Sequence, residues 1–350
     1  MIEFRQLLSS EKLGTSARSM RWLLRLVSLP YGVAVRARNA AYELGWLRSA
    51  QATVPIISVG NLSVGGTGKS PTVAWLAGWL RQHDLRVAVL SRGYGQLESG
   101  QNDEALELEL QFPDVPHLQH WDRIASARLA TEELEMEVLL LDDGFQHRRL
   151  ARNLDIVLLD ATDSAAARWL LPGGLMREPL SSLSRADVVI LTRTAQADPD
   201  SLAKLDQRVR RRAPQAIVLQ ANHRPACLWS EDNSQGELSQ LSGAPVLAVC
   251  AIGHPDSFYR SLESLGAQVL DTRTFADHHA FTAVDIAALI EWTQQYPNAK
   301  CVICTMKDWV KIRAEKLGQL DLRALKIELQ FTAPPTELEA RLAGLCLGND

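Results

Sequence analysis

Pro55-Ile56-Ile57-Ser58-Val59-Gly60-Asn61-Leu62-Ser63-Val64-Gly65-Gly66-Thr67-Gly68-Lys69-Ser70-Pro71 runs from an apolar stretch into a glycine-rich loop. Thr72-Val73-Ala74-Trp75-Leu76-Ala77-Gly78-Trp79-Leu80 then continues with helical character. A buried strand, a glycine-rich loop and a helix, in that order, are the layout of a P-loop. Glycines let backbone N–H groups turn around phosphate oxygens, and the helix N-terminus adds positive potential. Lys69 is placed to neutralise β/γ-phosphates, and the Ser70 hydroxyl to reach Mg²⁺. Ser63 stands where the usual pattern has its first glycine, yet Gly65, Gly66 and Gly68 keep the loop permissive for positive φ. A plain glycine turn with a chance lysine would not need the flanking strand and helix.

Outward from the loop, apolar runs recur with helical spacers between them. Arg86–Ser91 reads as a second strand, ending in the turn Arg92-Gly93-Tyr94-Gly95. Leu97–Gln111 is acidic and reads as irregular, and a helix is expected around Asp122–Glu135. Further strands are expected at Glu137–Asp143, Leu154–Asp160, Asp187–Thr192 and Ala216–Leu219. Strands alternating with helices imply a mainly parallel, doubly wound α/β sheet. Polar, turn-rich Ala221–Gly243 reads as a connection between domains. A second αβ set follows: strand Val246–Ala251, helix Pro255–Leu265, strand Ala267–Leu270, helix Ala283–Gln294 and strand Lys300–Thr305. The tail adds a strand at Leu325–Leu329 and a helix at Glu337–Leu345. The expected organisation is a helical arm over residues 1–50, a core over 51–220, a second, smaller α/β domain over 221–330 and a C-terminal helix over 331–350.

At 350 residues the chain is long enough for two domains, and 46% apolar with 22% charged residues is ordinary globular composition. A net charge of −4 argues against a general nucleic-acid binder. The charge is uneven. Residues 1–50 hold eight Lys/Arg against Glu3, Glu11 and Glu43, a net +5. Five cysteines in no framework spacing point to reduced thiols in a cytoplasmic protein. Cys301 and Cys304 sit in an apolar strand, on opposite faces, and read as buried thiols rather than zinc ligands. No apolar run reaches transmembrane length. The opening Met-Ile-Glu-Phe-Arg-Gln carries no signal-peptide core, so no secretory leader is expected.

Residues 17–48 mix arginines with large apolar groups, and Pro30 is expected to divide them into two helices. Trp22, Leu26 and Leu29 share one face, and Arg18, Arg21 and Arg25 another. That pattern suits a membrane interface. It suits two ordinary packed helices with solvated arginines equally well.

Asp142 and Asp143 close an apolar strand, where the carboxylate that orders Mg²⁺ sits in phosphate-transferring P-loop proteins. Asp-Asp-Gly is also good turn chemistry. His147, Arg148 and Arg149 follow directly and can face an anion or solvent. Phe275-Ala276-Asp277-His278-His279 offers a metal ligand, a general base or a polar helix start. Pro172-Gly173-Gly174-Leu175-Met176-Arg177-Glu178-Pro179 is a rigid turn carrying an Arg–Glu pair. Thr305-Met306-Lys307-Asp308 is close to a guanine-reading motif, but its lysine stands third, so no guanine specificity is read.

Taken together these segments resemble the tetraacyldisaccharide 4′-kinase family, in the family's order and over most of the chain. The resemblance rests on Gly60–Pro71, Ser91–Gly95, Asp103-Glu104, Leu141–Arg148, Pro172–Pro179, Phe275–His279 and Thr305–Asp308. Asn102-Asp103-Glu104-Ala105 departs from the family's Gly-Asp-Glu-Pro, and Met306 replaces a frequent Glu. The resemblance implies a P-loop NTPase-like core and ATP- and Mg²⁺-dependent phosphorylation of the 4′-hydroxyl of an acylated glucosamine disaccharide. That reaction belongs to lipid A biosynthesis at the cytoplasmic face of the bacterial inner membrane, the protein being peripheral. It turns the N-terminal arm towards membrane contact. It assigns ATP to Ser63, Val64, Gly65, Gly66, Thr67, Gly68, Lys69 and Ser70, and Mg²⁺ to Ser70, Asp142, Asp143 and Glu178. Asp103 with His278 is implied as an acid/base dyad, and Arg177 as a phosphate clamp. His278 rather than His279 is expected to act. No obligate protein partner is expected. Two other readings stay open at this point: a P-loop kinase for a soluble metabolite, and a nucleotide-driven switch or assembly factor.

Overall fold

The computed structural model describes residues 15–93, 102–162, 169–230, 235–253 and 255–348. Tyr94, Gly95 and residues 97–101 of the sequence reading, with Arg5 and Lys12, lie outside them. The elements, in chain order, begin with α1 (Thr15–Glu43), β1 (Ile56–Asn61), α2 (Lys69–Gln82) and β2 (Val87–Ser91). Next come α3 (Asp103–Gln111), β3 (His117–Gln119), α4 (Arg123–Arg128), β4 (Val138–Asp142), β5 (Leu154–Asp160) and β6 (Val188–Thr192). Then follow α5 (Pro199–Arg212), β7 (Ile217–Trp229), β8 (Gln235–Gly236), β9 (Pro245–Cys250), α6 (Pro255–Ser264) and β10 (Gln268–Thr274). The chain ends with α7 (Ala283–Gln294), β11 (Cys301–Thr305), α8 (Met306–Ile312), β12 (Lys316–Leu317), β13 (Leu320–Phe331) and α9 (Thr336–Cys346). They form two compact units, one of residues 1–92, 118–222 and 330–350, the other of 93–117 and 223–329. Residues 93–117 thus group with the second unit, whereas the sequence reading put them in the core range 51–220.

In the first unit β1 is central, with β4 on one side and β5 on the other, all parallel. β2 joins β4, β6 joins β5 and the start of β7 joins β6, again parallel. β1, β2, β4, β5 and β6 are buried along their whole length, as strands covered on both faces must be. This explains why they read as continuous apolar runs. β1 ends where neighbouring crossovers leave in opposite directions, the point at which such sheets hold ligands.

Pro30 does not split the N-terminal segment. α1 runs through it as one helix. Tertiary contacts on both sides of the proline offset its cost. Ser28 Oγ accepts from the Gly173 amide at 2.9 Å, Tyr31 Oη donates to the Arg177 carbonyl at 2.9 Å and Asn39 Nδ2 donates to Glu178 Oε2 at 2.8 Å. The helix expected over 122–135 is shorter, α4 passing into a π-turn at Leu129–Glu133.

In the second unit β10, β9, β11 and β13 lie side by side in parallel, with β12 antiparallel on β13. Two expectations change here. The acidic stretch beyond Gln101 is helical, because Asn102 caps α3 by accepting from the Ala105 amide at 2.9 Å and Asp103 and Glu104 favour its N-terminus. The polar stretch after Ala221 is no simple connection, since β7 continues to Trp229 and pairs β8. Cys301 and Cys304 are free and enter different apolar clusters on the two faces of β11.

Candidate functional site

The loop after β1 is held by donors from the sheet edge. Asn61 Nδ2 donates to Thr67 Oγ1 at 2.9 Å and to the Gly65 carbonyl at 3.4 Å. Thr192 Oγ1 donates to the Thr67 carbonyl and Arg193 Nη2 to the Gly66 carbonyl, both at 2.9 Å. Three loop carbonyls are thereby tied to the scaffold. Gly65 (φ 127°) and Gly68 (φ 95°) take left-handed conformations that other residues avoid. Gly68 is the residue from which α2 starts, so Lys69 and Ser70 occupy its first turn. The 172–179 turn lies alongside the loop. The Val64 amide donates to the Leu175 carbonyl at 2.8 Å and the Arg177 amide to the Leu62 carbonyl at 2.6 Å.

β4 delivers the two carboxylates beside this loop, its Asp142 in register with Val59 of β1. The Asp143 backbone is left-handed (φ 48°), and its amide donates to Asp142 Oδ1 at 2.9 Å. This turn aims the Asp143 carboxylate at two cations. Arg177 Nη1 donates to both of its oxygens at 2.9 and 2.7 Å, and Lys69 Nζ lies 3.6 Å away. Burial pushes the Asp143 carboxyl up, but Lys69, Arg177 and Arg123 outweigh it and hold it below the usual range. The Asp143 carboxylate is thus held charged between these cations. Glu178 faces elsewhere: its Oε2 accepts from Asn39 of α1 and from Arg185 Nη2 at 3.1 Å.

The second unit carries a different pair. His278 Nδ1 donates to Asp103 Oδ2 at 2.9 Å, while Asp103 Oδ1 accepts the Glu104 amide at 3.1 Å. The hydrogen bond to Asp103 raises the His278 pKa above 6.5 against the opposing effect of burial. Burial pushes Asp103 up, yet the His278 bond and the Lys307 charge leave it below 3.8. His279 is otherwise engaged. Its Nε2 lies 3.1 Å from Asp285 Oδ2, part of the capping box that starts α7, and its ring stacks on Phe275. Of the two histidines, His278 is the one hydrogen-bonded to Asp103.

The sequence profile of the tetraacyldisaccharide-1-P 4′-kinase family (LpxK) matches residues 20–346. The chain belongs to the tetraacyldisaccharide 4′-kinase family. It is 36% identical to the tetraacyldisaccharide 4′-kinase of Anaeromyxobacter dehalogenans strain 2CP-C, over 91% of this chain and 89% of that one. Its identity to the same enzyme of Geobacter sulfurreducens is 33%, over 97% of each chain. The crystal structure of the "apo" form of LpxK from Aquifex aeolicus in complex with ATP superposes with a TM-score of 0.73 at 29% identity, covering 93% of this chain and 99% of that one.

Within this family member the predicted residues fall into two groups. Lys69, Ser70, Asp142, Asp143 and Arg177, with the 63–68 loop, gather in the first unit, and Asp103 with His278 in the second. Sequence reasoning missed the braces Asn61, Thr192 and Arg193, and also Arg123, which donates to the Asp143 carbonyl at 3.1 Å. Asn61 adjoins the quoted loop, so only its role went unread. Thr192 ends β6 and Arg193 follows it, and nothing in their local pattern marks them.

Proposed function

We propose that this chain transfers the γ-phosphoryl group of ATP to the 4′-hydroxyl of a tetraacylated glucosamine disaccharide 1-phosphate. One observation carries the reading beyond membership of the family. The first residue of the helix after the glycine-rich loop, Lys69, and an arginine from the 172–179 turn converge on one depressed carboxylate, Asp143. That is a fixed array of charges beside the glycine-rich loop. Phosphoryl transfer asks chiefly for such positioning and charge neutralisation.

In this reading the amides of Gly65 to Ser70 and the Lys69 ammonium bind the β/γ-phosphates. Asp143 sets the orientation of Lys69 and Arg177, and Arg177 neutralises charge on the transferred group. The donors suit Mg²⁺: Ser70 offers a hydroxyl, Asp142 and Asp143 offer carboxylates, and all are hard oxygens. Among the described residues no cluster of three or more His, Cys, Asp or Glu forms a self-contained metal site, which suits an ion that completes its shell with phosphate and water. When bound, Mg²⁺ would offset phosphate charge. Glu178 we assign to docking α1, through Asn39, rather than to the metal. The Asp103–His278 pair takes up the hydroxyl proton. Asp143 is the poorer base because two cations hold its carboxylate ionised.

The acceptor is a lipid, and α1 provides a surface for one. Trp22, Leu26 and Leu29 are 60, 58 and 61% exposed, and among the described residues no helix is long and apolar enough to cross a membrane. We place the protein peripherally on the cytoplasmic face of the inner membrane, with α1 in the interface. The test is incubation with γ-labelled ATP and a panel of acyl disaccharides, followed by thin-layer separation. A labelled lipid at the product position is expected. ATP turnover without label in any lipid would favour a nucleotide-driven switch and overturn the reading.

A further inference from the structure

Thr305-Met306-Lys307-Asp308 is a quoted segment that the proposed reaction leaves without work. Thr305 caps α8, its Oγ1 accepting from the Asp308 amide at 3.2 Å. The next two polar residues reach out from that cap in two directions. Lys307 Nζ donates to Glu104 Oε1 at 2.7 Å, the residue after Asp103 in the first turn of α3. Asp308 Oδ2 accepts from the Ala251 amide at 3.0 Å, and the Ala251 carbonyl in turn accepts from the His278 amide at 3.3 Å. One helix start therefore touches the neighbours of both members of the Asp103–His278 pair.

Asp308 suits the first turn of α8, where it also accepts from Thr305 Oγ1 at 2.7 Å and pairs with Lys311 at 3.0 Å, but the placement of Lys307 is not explained by α8 itself. A lysine in the first turn of a helix works against the helix dipole. Lys307 is nevertheless held firmly charged, because Glu104, Asp103 and Glu107 together outweigh its desolvation. The His278 backbone is left-handed (φ 58°), which a histidine adopts at some cost unless its surroundings impose it. The Ala251 link is one such constraint, and Asp308 holds the other side of the same peptide strand.

We propose that Lys307 and Asp308 are positioning residues for the Asp103–His278 pair, Lys307 setting the carboxylate through Glu104 and Asp308 setting the imidazole through the Ala251 backbone. The proposal rests on the reading that this pair serves the reaction. The charged groups facing the pair are Asp277 and Lys307 on His278, and Lys307 and Glu104 on Asp103. Glu107 faces Lys307 from α3, and Lys326 of β13 faces Glu107. Lys307 lowers the proton affinity of both members, of Asp103 by pairing charge and of His278 by repulsion. It thus favours the unprotonated imidazole.

The experiment uses the full chain with ¹³C-labelled histidine, titrated by NMR beside a pH profile of kcat. In Lys307→Met the His278 midpoint is expected to move to higher pH, and the acid limb of kcat to move with it, while KM for ATP stays unchanged. Lys307→Arg keeps the charge and is expected to titrate like the parent. Lys307→Gln keeps a donor towards Glu104 and gives the same readout should the Met variant not fold. In Asp308→Asn the amide still offers an oxygen to Ala251, so the His278 midpoint is expected to hold. Asp308→Ala removes it, and the His278 resonances are expected to broaden or split. An unmoved His278 midpoint in folded Lys307→Met or Lys307→Gln overturns the proposal for Lys307. Unchanged resonances in Asp308→Ala overturn it for Asp308. A midpoint that moves while the kcat profile stays put leaves the positioning role standing and removes the pair from the reaction.

Discussion

His278 Nδ1 and Asp103 Oδ2 lie 2.9 Å apart across 175 residues of sequence. The contact keeps a proton on the imidazole to a higher pH than usual and keeps Asp103 ionised to a lower one. A base must first be free of its proton. We therefore expect kcat to rise with pH through the raised His278 midpoint. His278→Ala should remove that limb and cost about 10²–10⁴-fold in kcat. Asp103→Asn should move the limb to lower pH, since the acid no longer supports the imidazolium. A limb that survives His278→Ala would assign it to another group.

Asp143 is anchored by Lys69 and Arg177, and the cations are anchored by it in turn. Lys69→Ala and Asp143→Ala should each lose roughly 10³-fold or more in kcat, on the scale of removing a charge that serves the transition state. Arg177→Lys should fall well short of rescue, because an ammonium lacks the further guanidinium N–H donors that remain for phosphate beside the Nη1 spent on Asp143. Steady-state kinetics on the purified variants check this, and near-parental turnover in Asp143→Ala would remove it from the site.

The parts legible in the sequence were those in which local pattern and tertiary role coincide. β1, β4 and β5 are buried on both faces, so burial wrote them as apolar runs. The glycine loop and the Asp142–Asp143 strand end are short and self-contained. Pro30 misled because a local rule lost to Ser28, Tyr31 and Asn39, whose partners lie some 140 residues away. α3 hid behind its acidic start, which is favourable at a helix N-terminus and unfavourable at a C-terminus. The Asp103–His278 contact came from family resemblance alone, since no spacing rule spans that distance. Thr192 and Arg193 were illegible because the parallel order of β1, β5 and β6 brings them to the loop.

Glu107 offers a test of the second unit by pH. Burial raises its pKa from 4.5 to about 7, against Lys307 and with Glu104 and Asp103 adding to the rise. Its Oε2 is out of solvent contact and has no hydrogen-bond partner among the described residues. A carboxyl raised in the folded state binds more protons there than when unfolded. Its effect on stability is therefore a loss as pH climbs from 4.5 to about 7, level beyond that. Glu107→Gln should remove that decline and leave the protein more stable than the parent at pH 8 but not at pH 4. Urea midpoints across this range decide it, and parallel curves for the two proteins would contradict the assignment.

The exposed stripe of α1 sets the last expectation. Trp22, Leu26 and Leu29 stand clear of the protein, whereas Ser28, Tyr31 and Asn39 on the same helix are spent on contacts with the 170–178 turn. The helix is thus fixed by one face and free on the other. Burying one such side chain in a bilayer interface is worth about 1.5 kcal/mol, roughly tenfold in partitioning. Leu26→Glu should therefore weaken co-sedimentation with vesicles about tenfold or more and raise KM for a vesicle-borne acceptor in step. KM for ATP and turnover of detergent-dispersed acceptor should hold, because no residue of the phosphate site is touched. Asn39→Ala acts on the opposite face. It leaves the Glu178 carboxylate with Arg185 as its remaining partner and loosens the docked side of α1, so it should lower the melting temperature while vesicle binding persists. If Leu26→Glu instead left vesicle binding intact, α1 would be an ordinary surface helix and the membrane contact would have to be sought elsewhere on the chain.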